Sequence, residues 1–180
     1  MLQNIEVQIE PDLFNLRTVN LIMRPAEIGD FQHVTPVDYT LGDDLMKSAD
    51  WGSAMLDNLK NYAFTICEFD TNETVVIVCL EYIWPGRWFA WMIADQSVKR
   101  YYKPVYRLFK ELLPLFCDSY NVRRLEAITN CKFKEGQRWL KHLGFEIESY
   151  LKYYHPNGDD CYMYTRINDH GHSVNSTRKS

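Results

Sequence analysis

The chain has 180 residues, 46% hydrophobic and 24% charged, the range of one globular domain and not of a disordered chain. No stretch approaches 18 consecutive apolar residues, which excludes a membrane-spanning helix. The residues up to Asp12 carry Glu6, Glu10 and Asp12 with no basic or apolar region, so no secretory leader is expected. The net charge of −4 is unevenly spread: from Ser97 to Lys141 eleven Lys and Arg stand against four acids, +7, leaving −11 for the rest. Such asymmetry points to an anionic partner (a nucleotide-like cofactor, nucleic acid or an acidic protein), with a solvated helix face as the plain alternative.

Thr18 to Met23 reads as a strand closed by Arg24-Pro25, and Gly29-Asp30 starts a short helix. Gly42-Asp43-Asp44 offers an N-cap for a second helical stretch carrying Leu45, Met46, Met55, Leu56 and Leu59. Ala63 to Phe69, Val75 to Leu80 and Trp88 to Ile93 are strands, separated by the turn Thr71-Asn72-Glu73 and the break Pro85-Gly86. They form an antiparallel meander whose continuous apolar runs fit strands buried on both faces.

Ser97 is placed to cap the next helix, where Val105, Leu108, Phe109, Leu112, Leu113 and Phe116 follow helical spacing. Pro104 belongs near its first turn, and Pro114 is expected to kink or end it. Arg124 to Thr129 is a strand, and Lys134 to Leu143 a helix stopped by Gly144. Phe145 to Tyr150 is a strand. Pro156-Asn157-Gly158 makes a tight hairpin turn, and Cys161 to Ile167 returns. The expected architecture is α+β: a mixed sheet of about seven strands flanked by about four helices. An N-terminal arm (1–17), a domain (18–167) and a flexible polar tail (168–180) complete the division.

Cys67, Cys79, Cys117, Cys131 and Cys161 are odd in number and include no close pair. They read as reduced, buried thiols of a cytoplasmic protein, and no metal site is expected, since zinc wants paired ligands and His170-Gly171-His172 is a weak signal. No Ser nucleophile elbow, Gly-Lys-Ser phosphate loop or helical His-x-x-x-His pair is present. Tyr101, Tyr102 and Tyr106 interleave with the basic stretch, but aromatics at helical spacing pack more often than they stack on bases, so nucleic acid is not the expected partner. Glu81, ending a buried strand, is the candidate general base, desolvation being able to raise its pKa, with Glu68 and Asp95 behind it.

Three segments resemble the GNAT acetyltransferases. Met23-Arg24-Pro25-Ala26-Glu27-Ile28-Gly29-Asp30-Phe31 is similar to the family's opening. Asn130, followed by Trp139-Leu140-Lys141-His142-Leu143-Gly144-Phe145, resembles its closing helix, and Arg100 to Phe109 falls on its cofactor loop and helix. The resemblance covers roughly residues 18 to 167 and implies a GNAT-like fold and transfer of acetyl from acetyl-CoA to an amine of a protein or small molecule. It places acetyl-CoA along the Trp88-to-Ile93 strand at Met92 and Ile93. The pyrophosphate would lie near Gln96, Ser97, Val98, Lys99, Arg100 and Lys103, and Asn130 would touch the pantetheine arm.

The family's loop holds glycines where this chain has Lys103 and Val105, or Lys99 and Tyr101 in the alternative frame. Its acid-position tyrosine is Leu140 here. Trp88-Phe89, Asp95-Gln96, the basic helix and Arg138-Trp139-Leu140-Lys141 further resemble the small GNAT-like internal virion proteins of short-tailed bacteriophages. That implies a host cytoplasm or phage particle and a phage or host protein partner. The alternative it brings is a degenerate GNAT fold serving virion morphogenesis or protein interaction.

Overall fold

The computed structural model describes residues 20–37 and 62–168. The arm, the second helical stretch from Gly42 and the tail beyond Asn168 lie outside the described residues. Seven strands form one sheet: β1 (Leu21–Pro25), β2 (Ala63–Glu68), β3 (Thr74–Trp84), β4 (Arg87–Ala94), β5 (Arg124–Asn130), β6 (Glu146–Leu151) and β7 (Cys161–Ile167). Their order is β1-β2-β3-β4-β5-β7-β6, antiparallel except where β4 meets β5 in parallel. Among the described residues three helices flank the sheet: α1 (Ile28–His33), α2 (Val98–Ser119) and α3 (Lys134–His142). The α+β mixed sheet of seven strands is the expected architecture, and no described helix is long and apolar enough to cross a membrane.

Each face of the sheet buries its own cluster. Ile77 lies opposite Ile93 and Cys79 opposite Trp91, so these side chains share the face that α1 covers with Phe31 and Val34. The alternate residues Val76, Leu80 and Trp88 point to the other face, where they meet Val105 and Leu108 of α2 and Trp139 and Leu140 of α3. Trp88 is the hub there, its ring edge-on to Tyr62 at 4.9 Å, Phe116 at 5.2 Å and Tyr120 at 5.6 Å. Under α1, the buried Asp30 carboxylate takes two bonds from Arg24 (2.8 and 2.6 Å) and one from Thr65 (2.7 Å). Although burial opposes its charge, the Arg24 guanidinium and these donors hold Asp30 below its ordinary value.

Four boundaries differ from the sequence reading. β1 runs through Arg24-Pro25, because β1 is the sheet's edge and an edge proline gives up no ladder bond. β3 continues past Leu80 to Trp84, pairing with Arg87–Phe89 around a Pro85-Gly86 turn in which Gly86 has φ +83°. α2 passes through both prolines. Pro104 sits in its second turn, and Pro114 does not end it, since Pro114 is exposed while Leu113 and Cys117 on either side are buried. The β6–β7 connection is a loop from Lys152 to Asp160, not a tight hairpin, with its turn at His155–Gly158.

Candidate functional site

The parallel contact of β4 and β5 covers only Arg87↔Arg124, Trp88↔Leu125 and Phe89↔Glu126. Beyond it, Ala90–Ala94 and Ala127–Asn130 have no partner in each other, so the two strands part into a wedge at their C-terminal ends. Asp95 gives its N–H to Val75 of β3 (3.0 Å). Strand alternation therefore turns the N–H and C=O groups of Ala90, Met92 and Ala94 toward β5. A segment of extended backbone inserted there would find amide partners on Ala90 and Met92.

The mouth of the wedge is already in use. Thr35–Val37 crosses the end of β4, with Val37 donating to the Ala94 carbonyl (2.9 Å) and Gln96 to the Thr35 carbonyl (3.0 Å). Asp95 Oδ1 accepts the Ser97 N–H (2.8 Å) and Oδ2 that of Thr35 (2.8 Å). Val98 then donates to the Asp95 carbonyl and Arg100 to the Ser97 carbonyl. Of the five amides from Gln96 to Arg100, four have protein acceptors, and a carboxylate stands at the positive end of α2. Ser97, expected to cap the helix, is itself helical at φ −63°, and its buried Oγ has no partner among the described residues. Asp95 caps in its place.

Acetyl-CoA can be tested against these residues part by part. The wedge fits an extended pantetheine arm, with amides to either side. The start of α2 does not fit a diphosphate, because its donors are taken and Asp95 adds like charge. Arg100 and Lys103 lie inside the helix, where their side chains but not their N–H groups are on offer. Met92 faces the wedge with its backbone. Ile93 is buried at 2% under α1 and directs its backbone to β3. Lys99, Arg100 and Lys103 are exposed, Val98 half-buried.

Asn130 is buried at the end of β5. Its Nδ2 donates to Asp159 (3.0 Å) and its Oδ1 accepts the Lys132 N–H (2.8 Å), so the side chain ties β5 to the β6–β7 loop. Lys132 also pairs with Asp159, which its bonds to Lys132, Asn130 and Asn157 bring down to about 2. Glu81 lies in mid-strand opposite Phe89 and is exposed, where a partly buried carboxylate was expected. Glu68 accepts the Tyr101 hydroxyl, a bond that lowers the carboxylate and raises the phenol.

Leu140 packs in the core. Of the tyrosines on the last two strands, Tyr150 donates to Asp160, which pushes it up to about 12. Tyr164 lies opposite Ala127, one residue past the last β4–β5 pair, fully buried, and its hydroxyl has no partner among the described residues. Burial raises its pKa, so the proton stays on.

Sequence reasoning missed Glu126. Only 3% exposed, it takes a two-pronged grip from Arg87 (2.8 and 2.8 Å) and a bond from Arg124, which also reaches Glu148 (2.6 Å). Burial opposes its charge, but Arg87 and Arg124 outweigh that and hold it below the ordinary range. This cluster clamps β4 to β5 just before they part. The alternation of Arg124 and Glu126 on one strand face was the available signal.

All five cysteines are free, and four are buried. Among the described residues no group of His, Cys, Asp and Glu is placed to hold a metal ion.

No family model matches the sequence, and no curated protein matches it. The fold has solved relatives. Ard1 from Thermoplasma volcanium superposes with a TM-score of 0.67 at 15% identity, over 83% of this chain and 98% of that one. An acetyltransferase of the GNAT family from Bacillus anthracis gives 0.60 at 17%, over 84% and 96%. A spermidine N-acetyltransferase chimera from Vibrio cholerae gives 0.65 at 12%, over 82% and 95%. With a parallel β4–β5 pair that opens into a wedge inside an otherwise antiparallel sheet, this chain has the fold of the GNAT acetyltransferases.

Proposed function

We propose that the protein is an N-acyltransferase that receives an acetyl thioester, acetyl-CoA being the family's donor, in the β4–β5 wedge. The observation that carries this reading is the wedge itself: three residue pairs, then two strand ends that part, with the Ala90 and Met92 amides of β4 turned toward β5. The group supplies an activated acyl carbon when bound. The chain's part is to align it by backbone bonds and to manage protons on both sides. Tyr164, neutral and buried across β5 from the gap, opposite Ala127, is the candidate to hold a proton for the leaving sulfur. Glu81, exposed opposite Phe89 on the α1 face, is the carboxylate for the amine's proton. The acceptor is an amine of a protein or small molecule, in line with the spermidine named for one structural relative.

A second reading is a GNAT fold that keeps the frame and serves as a virion assembly or interaction protein in a phage-infected cell. Asp95 at the start of α2, where an anion would be wanted, favours it.

Thermal unfolding under acetyl-CoA titration separates the two. Ligand at 100 times its dissociation constant adds about 2.7 kcal/mol, a rise of roughly 5–10 °C at this size. In an acceptor screen, Tyr164→Phe and Glu81→Gln should each then lower kcat with KM for the donor unchanged. No shift with acetyl-CoA or with S-acetylpantetheine at millimolar concentration sinks the transferase reading.

A further inference from the structure

We infer that the acyl group reaches this wedge on an acidic carrier protein, docked along a basic stripe of α2, rather than on a free nucleotide thioester. The inference rests on the wedge being the site of the acyl arm. Two observations point the same way. The first is the closed cradle: four of the five amides at the start of α2 are bonded within the chain, and Asp95 faces whatever approaches them. A donor that depends on a diphosphate anchor is disfavoured there, while one held by its arm and by a protein surface is not.

The second is the outer face of α2. Lys99, Lys103, Arg107 and Lys110 follow one another at intervals of four, four and three, which lines them up on one side of the helix. All four are exposed, and none forms an ion pair among the described residues. The row is about 16 Å long, beyond the reach of one small anion but matched to acids on a helix of a partner. It begins at the second residue of α2, five residues after β4 ends, so its near end stands at the mouth of the wedge.

Beside the row, Tyr102 (42% exposed) stacks parallel to Tyr106 against Trp139 of α3, an aromatic rim of the kind protein interfaces favour. Lys134, Arg138 and Lys141 continue the positive charge on α3. In the reaction the acceptor nitrogen bonds the acyl carbon, the carbon–sulfur bond breaks, and the leaving sulfur takes up a proton as the amine loses one, so the carrier departs as the free thiol.

The test measures binding of the full-length protein to acetyl-loaded acyl carrier protein, acetyl-CoA and S-acetylpantetheine at low salt. The carrier should bind about tenfold or more tightly than acetyl-CoA and weaken steeply by about 0.3 M salt. The triple variant K99E/K103E/R107E should lose about tenfold or more for the carrier while its affinity for S-acetylpantetheine is unchanged. Acetyl-CoA binding as tightly as the carrier, or a triple variant with unaltered carrier affinity, overturns the inference and leaves the wedge reading standing. A single-stranded oligonucleotide that binds more tightly than the carrier and displaces it also overturns it, assigning the stripe to nucleic acid. If S-acetylpantetheine and both larger donors fail to bind, the wedge reading falls as well.

Discussion

Asp95 does two jobs with one carboxylate, capping α2 through Ser97 and pinning the chain after α1 through Thr35. Replacing it with Ala should cost about 1 kcal/mol, the usual value of an N-cap. In a chain of this size that is roughly 3 °C in the unfolding midpoint. The same change frees two amides and removes a negative charge, so any midpoint shift produced by acetyl-CoA should become larger in Asp95→Ala. A smaller shift would mean that Asp95 helps to build the donor site instead of closing it. The thiols offer a second check at this scale. Burial raises the thiols of Cys67, Cys79, Cys117 and Cys161, all four of them buried, while Cys131 is half-buried. Brief alkylation of the native protein should label Cys131 first, whereas rapid labelling of several cysteines would show that the core opens readily.

α2 shows how far local rules carry and where packing overrides them. Its apolar spacing and its place between β4 and β5 were readable, as was the Gly144 stop of α3 (φ +84°). Pro114 misled, because a proline at an exposed position removes one hydrogen bond whose carbonyl partner water can satisfy, while Leu113, Phe116 and Cys117 hold the turn in place. Pro114→Ala should therefore stabilise the protein by about 2 kcal/mol, the propensity gain less the entropy lost from the unfolded chain. A lower denaturant midpoint would mean that the proline ring itself packs usefully.

The wedge was legible only through resemblance. Asp95's second bond and the Tyr164 hydroxyl were not legible at all, and of the Glu126 cluster only the Arg124–Glu126 alternation was, because the Arg87 grip, like the other two, depends on pairing between distant segments.

At the scale of the molecule, two buried carboxylates, Asp30 and Glu126, are held charged by arginines although burial opposes it. Their folded pKa values lie below the unfolded ones of about 4, so each contributes stability above that range. The contribution is lost as pH falls through the depressed folded values. Acid unfolding should begin below about pH 4, and Glu126→Gln, which leaves Arg87 and Arg124 without their counter-charge, should cost about 2 kcal/mol at neutral pH. Little change at neutral pH would show that the arginines simply turn to solvent. The clamp matters because it closes a narrow seam. Strands β1 to β4 form one block and β5, β7 and β6 another, and within the sheet three residue pairs join them. Unfolding has a natural fault line there, with the two blocks able to lose contact before either melts. Amide exchange at Arg87–Phe89 would report that opening earlier than exchange at the centres of β3 or β7. Whatever molecule lies between the strand ends then acts as an extra rung, so that occupancy of the gap makes the two blocks melt as one.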